Sequence, residues 1–164
     1  MVEAIAAAPG WQLDVVGPVA VGDQAWLDER LSRGDVAGRV TVHGRMPPRA
    51  AWRVAAHASV GMLLLSDTPA FRDAVPTKLY EYLATGLAVL ATPLPRVEQL
   101  LAGSGAGVLV GDAAAAAEVL RGWSVVPTEL AKARLAALAW ADRELRGPSP
   151  YDELAAEVVA LLER

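Results

Sequence analysis

Short apolar runs alternate with longer amphipathic segments along the 164-residue chain. Strands are predicted at 11–16, 39–43, 60–65, 88–91 and 106–110, where the apolar runs have strand length. Helices are predicted at 1–8, 23–31, 49–57, 96–102, 113–123, 129–146 and 151–162, with a Gly-Pro-Ser-Pro break at 147–150. Strands alternating with helices of this length predict βαβ units, and therefore an α/β fold with a mostly parallel sheet.

The run at 60–65 is continuously apolar, which is typical of a central parallel strand buried on both faces. We expect it to be the most buried strand. A loop and one short helix are predicted between it and the next strand. Pro76 would fix φ in the first helical turn and Thr77 could cap it. The core face of this helix is predicted from residues at helical spacing, namely Leu79, Tyr82 and Leu83.

The start of this helix is a candidate anion-binding position. It follows the carboxyl end of a strand, which is where an open α/β sheet binds anions. The unpaired N–H groups and the positive end of the helix dipole point to that place. Lys78 and Glu81 are three residues apart and therefore neighbours on one helix face. Asp73 and Glu81 flank the junction between loop and helix. The alternative is a solvated loop aspartate and an exposed helix glutamate, without any ligand.

Composition narrows the classes of function. The formal net charge is −4 and the chain has no cysteine, which argues against a nucleic-acid surface and excludes disulfides and thiolate metal sites. No apolar run reaches the ~20 residues of a membrane span. The default interpretation is a soluble cytoplasmic α/β domain.

Other candidate motifs carry less information. The glycines at 103–107 superficially match a dinucleotide fingerprint, but they follow a helix and precede a strand, so they predict a helix stop and turn. The two histidines do not have metal-pair spacing. His43 ends a strand at the predicted ligand edge and could make a supporting contact there.

The segment at 76–92, PTKLYEYLATGLAVLAT, closely resembles the donor-binding motif of retaining glycosyltransferases with two facing Rossmann-like domains. Within these enzymes it is similar to the C-terminal domain of family four, the glycosyl transferases group 1. Further matches occur in the family's order, at 13–18 (LDVVGP), 40–44 (VTVHG) and 105–110 (GAGVLV). The resemblance covers about residues 1–125. It implies one Rossmann-like three-layer sandwich over 1–164 that binds a nucleotide sugar, with closing helices at 128–164.

The resemblance implies roles for two acidic residues. Glu81 matches the second glutamate of the family's E-x7-E pattern, which binds the nucleotide ribose. Asp73 stands at the first acidic position, near the transferred sugar. Aspartate there departs from the family's glutamate and is shorter.

The remaining donor contacts are implied in the same way. The helix start at 76–78 would meet the diphosphate, and the turn at Gly44 and Arg45 would lie beside the base. Ser66 and Asp67 would end the central strand facing the donor. The donor would be a UDP-, GDP- or other nucleoside diphosphate sugar, and neither a cofactor nor a metal is implied.

Two parts of the family's architecture are not recognisable in the sequence. One is the first strand, which the usual order places centrally, together with a loop whose arginine and lysine clamp the diphosphate. The other is the N-terminal acceptor domain. The chain is therefore expected to be a fragment that binds donor without completing catalysis, in an enzyme that is cytoplasmic or peripheral at the inner membrane face.

A different class of function stays open. A chain without its first strand could be a non-catalytic Rossmann-like interaction domain, which uses the exposed sheet gap to bind a partner or to form a homodimer.

Overall fold

The computed structural model describes residues 1–74, 76–146 and 150–162. The break predicted at 147–150 therefore lies, apart from Pro150, outside the described residues. Within them the strands are β1 (Leu13–Val16), β2 (Val40–Gly44), β3 (Val60–Leu63), β4 (Ala88–Ala91) and β5 (Gly107–Leu109). The helices are α1 (Val2–Ala6), α2 (Val21–Leu31), α3 (Pro48–Ala55), α4 (Pro69–Arg72), α5 (Thr77–Ala84), α6 (Pro95–Leu101), α7 (Ala113–Val125), α8 (Pro127–Leu145) and α9 (Pro150–Leu162). None of the described helices is long and apolar enough to cross a membrane.

The strands form two parallel sheets. One has the order β1-β2 and the other the order β3-β4-β5. All the pairings are parallel, and each parallel connection carries a helix. This confirms the predicted α/β fold. The two sheets are separate because, in the described part of the chain, β1 and β3 do not pair with each other.

Strand β4 separates the two hydrophobic cores. All four of its residues are fully buried. Ala88 and Leu90 belong to a cluster with residues of α1 and α7. Val89 and Ala91 belong to a second cluster with residues of α5, α6 and α8. Because alternate side chains of a strand point to opposite faces, helices cover both faces of this sheet.

The expectation that the run at 60–65 forms the most buried strand is wrong. Strand β3 ends at Leu63, and its Val60 and Met62 are only partly buried. The physical reason is that β3 lies at an edge of its sheet, with a paired neighbour on one side only. The most buried strand is β4, which is paired on both sides.

The start of α5 also differs from the prediction. The helix begins at Thr77, Pro76 occupies the N-cap position, and no side chain caps the helix. Thr77 is therefore already inside the helix, where its hydroxyl cannot serve as the N-cap. The loop predicted before α5 contains the additional short helix α4.

Arginines from distant parts of the chain hold the carboxyl end of α1. Arg39 donates hydrogen bonds to the carbonyls of Ile5 (2.7 Å) and Ala8 (2.9 Å). Arg121 donates to the carbonyl of Ala7 at 2.7 Å. These bonds add to the main-chain bonds that the carbonyls of Ile5 and Ala8 already accept, and the positive charges complement the helix dipole.

Arg30 connects α1 to α2 and to the segment that follows α2. Its guanidinium is buried and binds the carboxylates of Glu3 (2.6 Å) and Asp35 (2.8 Å). The hydrogen bonds from Arg30 lower the pKa of Glu3 and of Asp35, and they raise the pKa of Arg30. Helix α1 is thus tied to α2 and to the segment after it.

Candidate functional site

A cavity of about 610 Å³ lies between the unpaired edges of β1 and β3. Its lining includes Leu13 to Asp14 on β1 and Val60 to Met62 on β3. Arg45, Lys78 and Glu81 also line it. Arg45 directly follows the carboxyl end of β2, and the other two residues are the second and the fifth of the eight residues of α5. Strand ends and a helix start therefore bring three charged side chains to one cavity.

Lys78 and Glu81 form an ion pair with an Nζ to Oε2 distance of 2.7 Å. This confirms that they are neighbours on one helix face. The Lys78 ammonium also lies 5.9 Å from the centroid of the Trp52 ring, within the range of a cation–π contact. The Glu81 side chain is 36% exposed and the Lys78 side chain 62%, so both remain accessible to a ligand.

Trp52 was not predicted as part of the site. No recognisable motif surrounds it in the sequence, and its place in the amphipathic helix α3 suggests packing alone. The structure instead puts it in the cavity lining, over Lys78. The sequence carries no signal for this contact, because Lys78 lies 26 positions away from Trp52 and on a different helix.

Tyr82 forms a wall of the cavity by packing directly on β3. A Cβ atom added to Gly61 would lie 2.4 Å from the Tyr82 ring, so only glycine permits this close approach. Burial raises the pKa of the Tyr82 phenol. The ring thereby fixes the distance between α5, which carries Lys78 and Glu81, and the edge of β3.

The turn after β2 is tethered to the end of β1. Gly44 has a φ of +67° and its carbonyl accepts a hydrogen bond from the Gly17 amide at 2.9 Å. His43 Nε2 and Asp14 Oδ1 are 2.6 Å apart, so His43 makes a supporting contact between the two strands. Arg45 is exposed and follows this fixed turn.

Other predicted site residues lie outside the lining of this cavity. Ser66 is exposed in the loop after β3, and Asp73 is exposed at the end of α4. Pro76 lines a separate cavity of about 530 Å³ with Tyr80 and Arg96. The structure therefore brings together Arg45, Lys78 and Glu81, but not the whole predicted set.

The loop that carries Ser66 and Asp73 has its own ion pair. Arg72 donates two hydrogen bonds to Asp67, at 2.5 and 2.8 Å. The guanidinium lowers the pKa of Asp67, and the carboxylate raises the pKa of Arg72. This pair links the loop after β3 to α4. In the described ranges, no cluster of three or more histidine, cysteine or acidic side chains could hold a metal ion.

The fold is shared with solved structures, among them those of the glycosyltransferases WaaG and AviGT4. The chain of HepE from Anabaena, solved in complex with UDP and glucose, aligns with a TM-score of 0.75 and 18% identity over 97% of this chain. WaaG, involved in lipopolysaccharide biosynthesis, aligns with a TM-score of 0.67 and 24% identity over 96%. AviGT4, involved in avilamycin A biosynthesis, aligns with a TM-score of 0.60 and 20% identity over 88%.

The chain spans only 43%, 41% and 44% of the lengths of HepE, WaaG and AviGT4. No curated protein matches the sequence. The sequence profile of the family described as glycosyl transferase-like, however, matches residues 1–155. Because this match covers most of the sequence, the protein belongs to the glycosyl transferase-like family.

Proposed function

We propose that the chain is the donor-binding half of a retaining glycosyltransferase. The complete enzyme would transfer a hexosyl group from a nucleoside diphosphate sugar to a glycan, lipid or small-molecule acceptor. The observation that carries the proposal is the convergence of Arg45, Lys78 and Glu81 on one cavity at strand ends. Membership of the family and the shared fold with HepE, a protein that was solved with UDP and glucose, support it.

Glu81 is proposed to bind the nucleotide ribose. Its carboxylate has two acceptor oxygens, which match the two adjacent hydroxyls of a ribose diol. Hydrogen bonds to a charged acceptor are stronger than bonds between neutral groups. Lys78 fixes the orientation of the carboxylate through the 2.7 Å ion pair, so less rotamer freedom is lost when the ribose binds.

Lys78 and the first turn of α5 are proposed to face the diphosphate. Breaking the bond between the sugar and the diphosphate places negative charge on the leaving group. A lysine ammonium and the free N–H groups of a helix start stabilise such charge. Thr77 lies in this first turn and Pro76 immediately precedes it.

The other roles are part of the same proposal. The turn at Gly44 and Arg45 would lie beside the base, Ser66 would face the donor, and Asp73 would lie near the transferred sugar. Retention of the sugar's configuration, reaction without a metal ion, and a cytoplasmic or inner-membrane-face location rest on the resemblance to the group 1 glycosyltransferases.

The test is titration calorimetry of the chain with UDP and with GDP, in EDTA. We expect one of the nucleotides to bind and the Glu81→Gln variant to bind it a few-fold to ~100-fold more weakly, since charged hydrogen bonds contribute about 1–3 kcal/mol. Binding that appears only when Mg²⁺ is added would contradict the metal-independent part of the proposal.

The matched control is Glu129→Gln. Glu129 pairs with Lys132 at the same spacing and the same 2.7 Å distance, but on α8. This variant should bind nucleotide like the wild type. Equal affinities of the Glu81→Gln variant and the wild type would show that Glu81 does not bind ribose.

A further inference from the structure

A second cavity, of about 530 Å³, lies on the other side of α5 from the cavity of Lys78 and Glu81. Lys78 and Tyr82 line the first cavity, whereas Pro76 and Tyr80 line the second. Residues two positions apart on a helix do not share a face, so α5 separates the two spaces. No described residue lines both of them. A ligand of the second cavity would therefore be bound apart from the nucleotide.

The apolar part of the second cavity comes from three helices. The ring centroids of Tyr80 on α5 and Trp140 on α8 are 5.7 Å apart, with the planes tilted by 54°. Trp140 is nearly buried in the second hydrophobic cluster, and Tyr80 and Leu100 pack against that cluster while remaining half-buried. Because the core holds these side chains in place, the cavity offers a fixed apolar surface to the organic part of a ligand.

Two guanidinium groups line the same cavity, each from a different helix. Arg96 is the second residue of α6, and Arg143 lies in the last turn of α8. Among the described residues, Glu144 is the only carboxylate in the lining. Two arginines and one glutamate leave one positive charge in excess, on a chain whose formal net charge is −4. The cavity is therefore a local cationic site on an acidic molecule.

The charge of Arg96 has no structural partner in the described part of the chain. Its guanidinium makes no ion pair there, and it donates only to the neutral amide oxygen of Gln99, at 3.2 Å. A cation in the first turn of a helix also opposes the helix dipole. Arg143 is placed more favourably for its own helix, and its Nε donates to Glu144 at 2.7 Å. Among the described residues that bond uses Nε alone, so the two Nη groups can reach a ligand.

We propose that the second cavity binds a phosphate ester whose organic part is apolar. The phosphate lies between Arg96 and Arg143, and the organic part packs on Tyr80 and Leu100. One guanidinium fork occupies both oxygens of a carboxylate, whereas a phosphate monoester has three terminal oxygens and can accept from two arginines at once. The inference goes beyond the proposed function and does not depend on nucleotide binding.

The probe is phenyl phosphate, titrated into the ¹⁵N-labelled chain while the amide chemical shifts are recorded. We expect the largest shifts at 96–103 and 140–144, with 44–46 unaffected. Phenyl phosphate should bind about tenfold or more tightly than inorganic phosphate, because only the ester buries an apolar ring. It should also bind more tightly than benzoate, which carries the same ring on a carboxylate.

Substitutions of the two arginines test the phosphate contacts. Arg96→Gln and Arg143→Gln should each weaken binding of phenyl phosphate by about tenfold or more, because each removes charged hydrogen bonds. The matched control is Arg146→Gln. Arg146 also pairs with a carboxylate at the end of α8, and its side chain is 69% exposed against 63% for Arg143, but it does not line the cavity. This variant removes the same charge and should bind like the wild type.

Several results would overturn the proposal. Equal weakening by Arg146→Gln would show that binding follows the net charge and not the cavity. Phenyl phosphate that does not bind, or binds no more tightly than inorganic phosphate or benzoate, would refute the proposed class of ligand. Displacement of the probe by saturating UDP, or shifts at 44–46, would place the probe in the nucleotide cavity.

Discussion

At the scale of single residues, position distinguishes the candidate ribose ligand from an ordinary surface pair. The chain's two lysines each pair with a glutamate three positions away at 2.7 Å. Lys132 and Glu129 lie on α8, where the pair is a solvated surface contact. Lys78 and Glu81 differ because they line a cavity and because the Lys78 ammonium lies 5.9 Å from the centroid of the Trp52 ring. Sequence spacing predicted that Lys78 and Glu81 are neighbours, but only the fold shows that this pair faces a ligand-sized space.

Replacement of Gly61 by alanine tests how closely α5 packs on β3. The added methyl would lie 2.4 Å from the Tyr82 ring, so the ring or the strand must move. We expect a loss of about 1–3 kcal/mol in the free energy of unfolding, as for other overpacked positions. Urea denaturation measures the change.

The control for this substitution is Gly122→Ala. Gly122 lies in the exposed part of α7, and an added Cβ would meet nothing within 4 Å. Alanine is the better helix former by about 0.5–1 kcal/mol, so this variant should gain stability. Equal effects of the two substitutions would mean that Tyr82 does not pack on Gly61 as described.

At the scale of elements, the arginine contacts hold α1 against the rest of the fold. Arg39 and Arg121 donate hydrogen bonds to carbonyls at its end, and Arg30 binds its Glu3. Because α1 contributes Ile5 to the cavity wall, these contacts also define one side of the site. Hydrophobic periodicity could not predict them, since each joins residues that are far apart in sequence.

The Arg30 contacts predict a pH-dependent part of the stability. The pKa values of Glu3 and Asp35 are lowered in the folded chain, so the folded state binds fewer protons than the unfolded state and stability rises with pH. The contribution should be complete above about pH 5 and be lost as the pH falls below about 4. Unfolding free energies of the wild type and Arg30→Gln, measured from pH 7 to pH 3, should therefore converge in acid.

Arg33→Gln is the control for Arg30→Gln. Arg33 pairs with Glu29 at 2.8 Å, but both side chains are exposed, and exposed pairs contribute only about 0–1 kcal/mol. Its effect should be small at every pH. A stability difference between wild type and Arg30→Gln that stays constant down to pH 3 would contradict the assigned role of Arg30.

The boundaries of α4 and α5 could not be predicted from the local sequence. Helix α4 has four residues, which is too short to produce a periodic pattern. Thr77 has the residue type of a cap, yet the backbone places it in the first turn. Alternation and apolar runs predicted the order of strands and helices, whereas the register of a helix start depends on packing that one residue type does not reveal.

At the scale of the whole molecule, the main departure from prediction is the position of β3. Its apolar run predicted a central, doubly buried strand, but the described residues form two sheets and β3 lies at an edge. An apolar run reports that a strand has hydrophobic surface to bury, and not which neighbours are present. Because β3 lies at a sheet edge, Val60 and Met62 are only partly buried and a cavity lies beside them.

The proposed site for the nucleotide of a donor sugar is the cavity lined by Arg45, Lys78 and Glu81. The most direct measurement is an amide chemical-shift titration of the ¹⁵N-labelled chain with the nucleotide that calorimetry identifies. We expect the largest shifts at 44–46 and 77–82. Shifts confined to residues 96–103 of the separate cavity, with 44–46 and 77–82 unaffected, would contradict the proposed site.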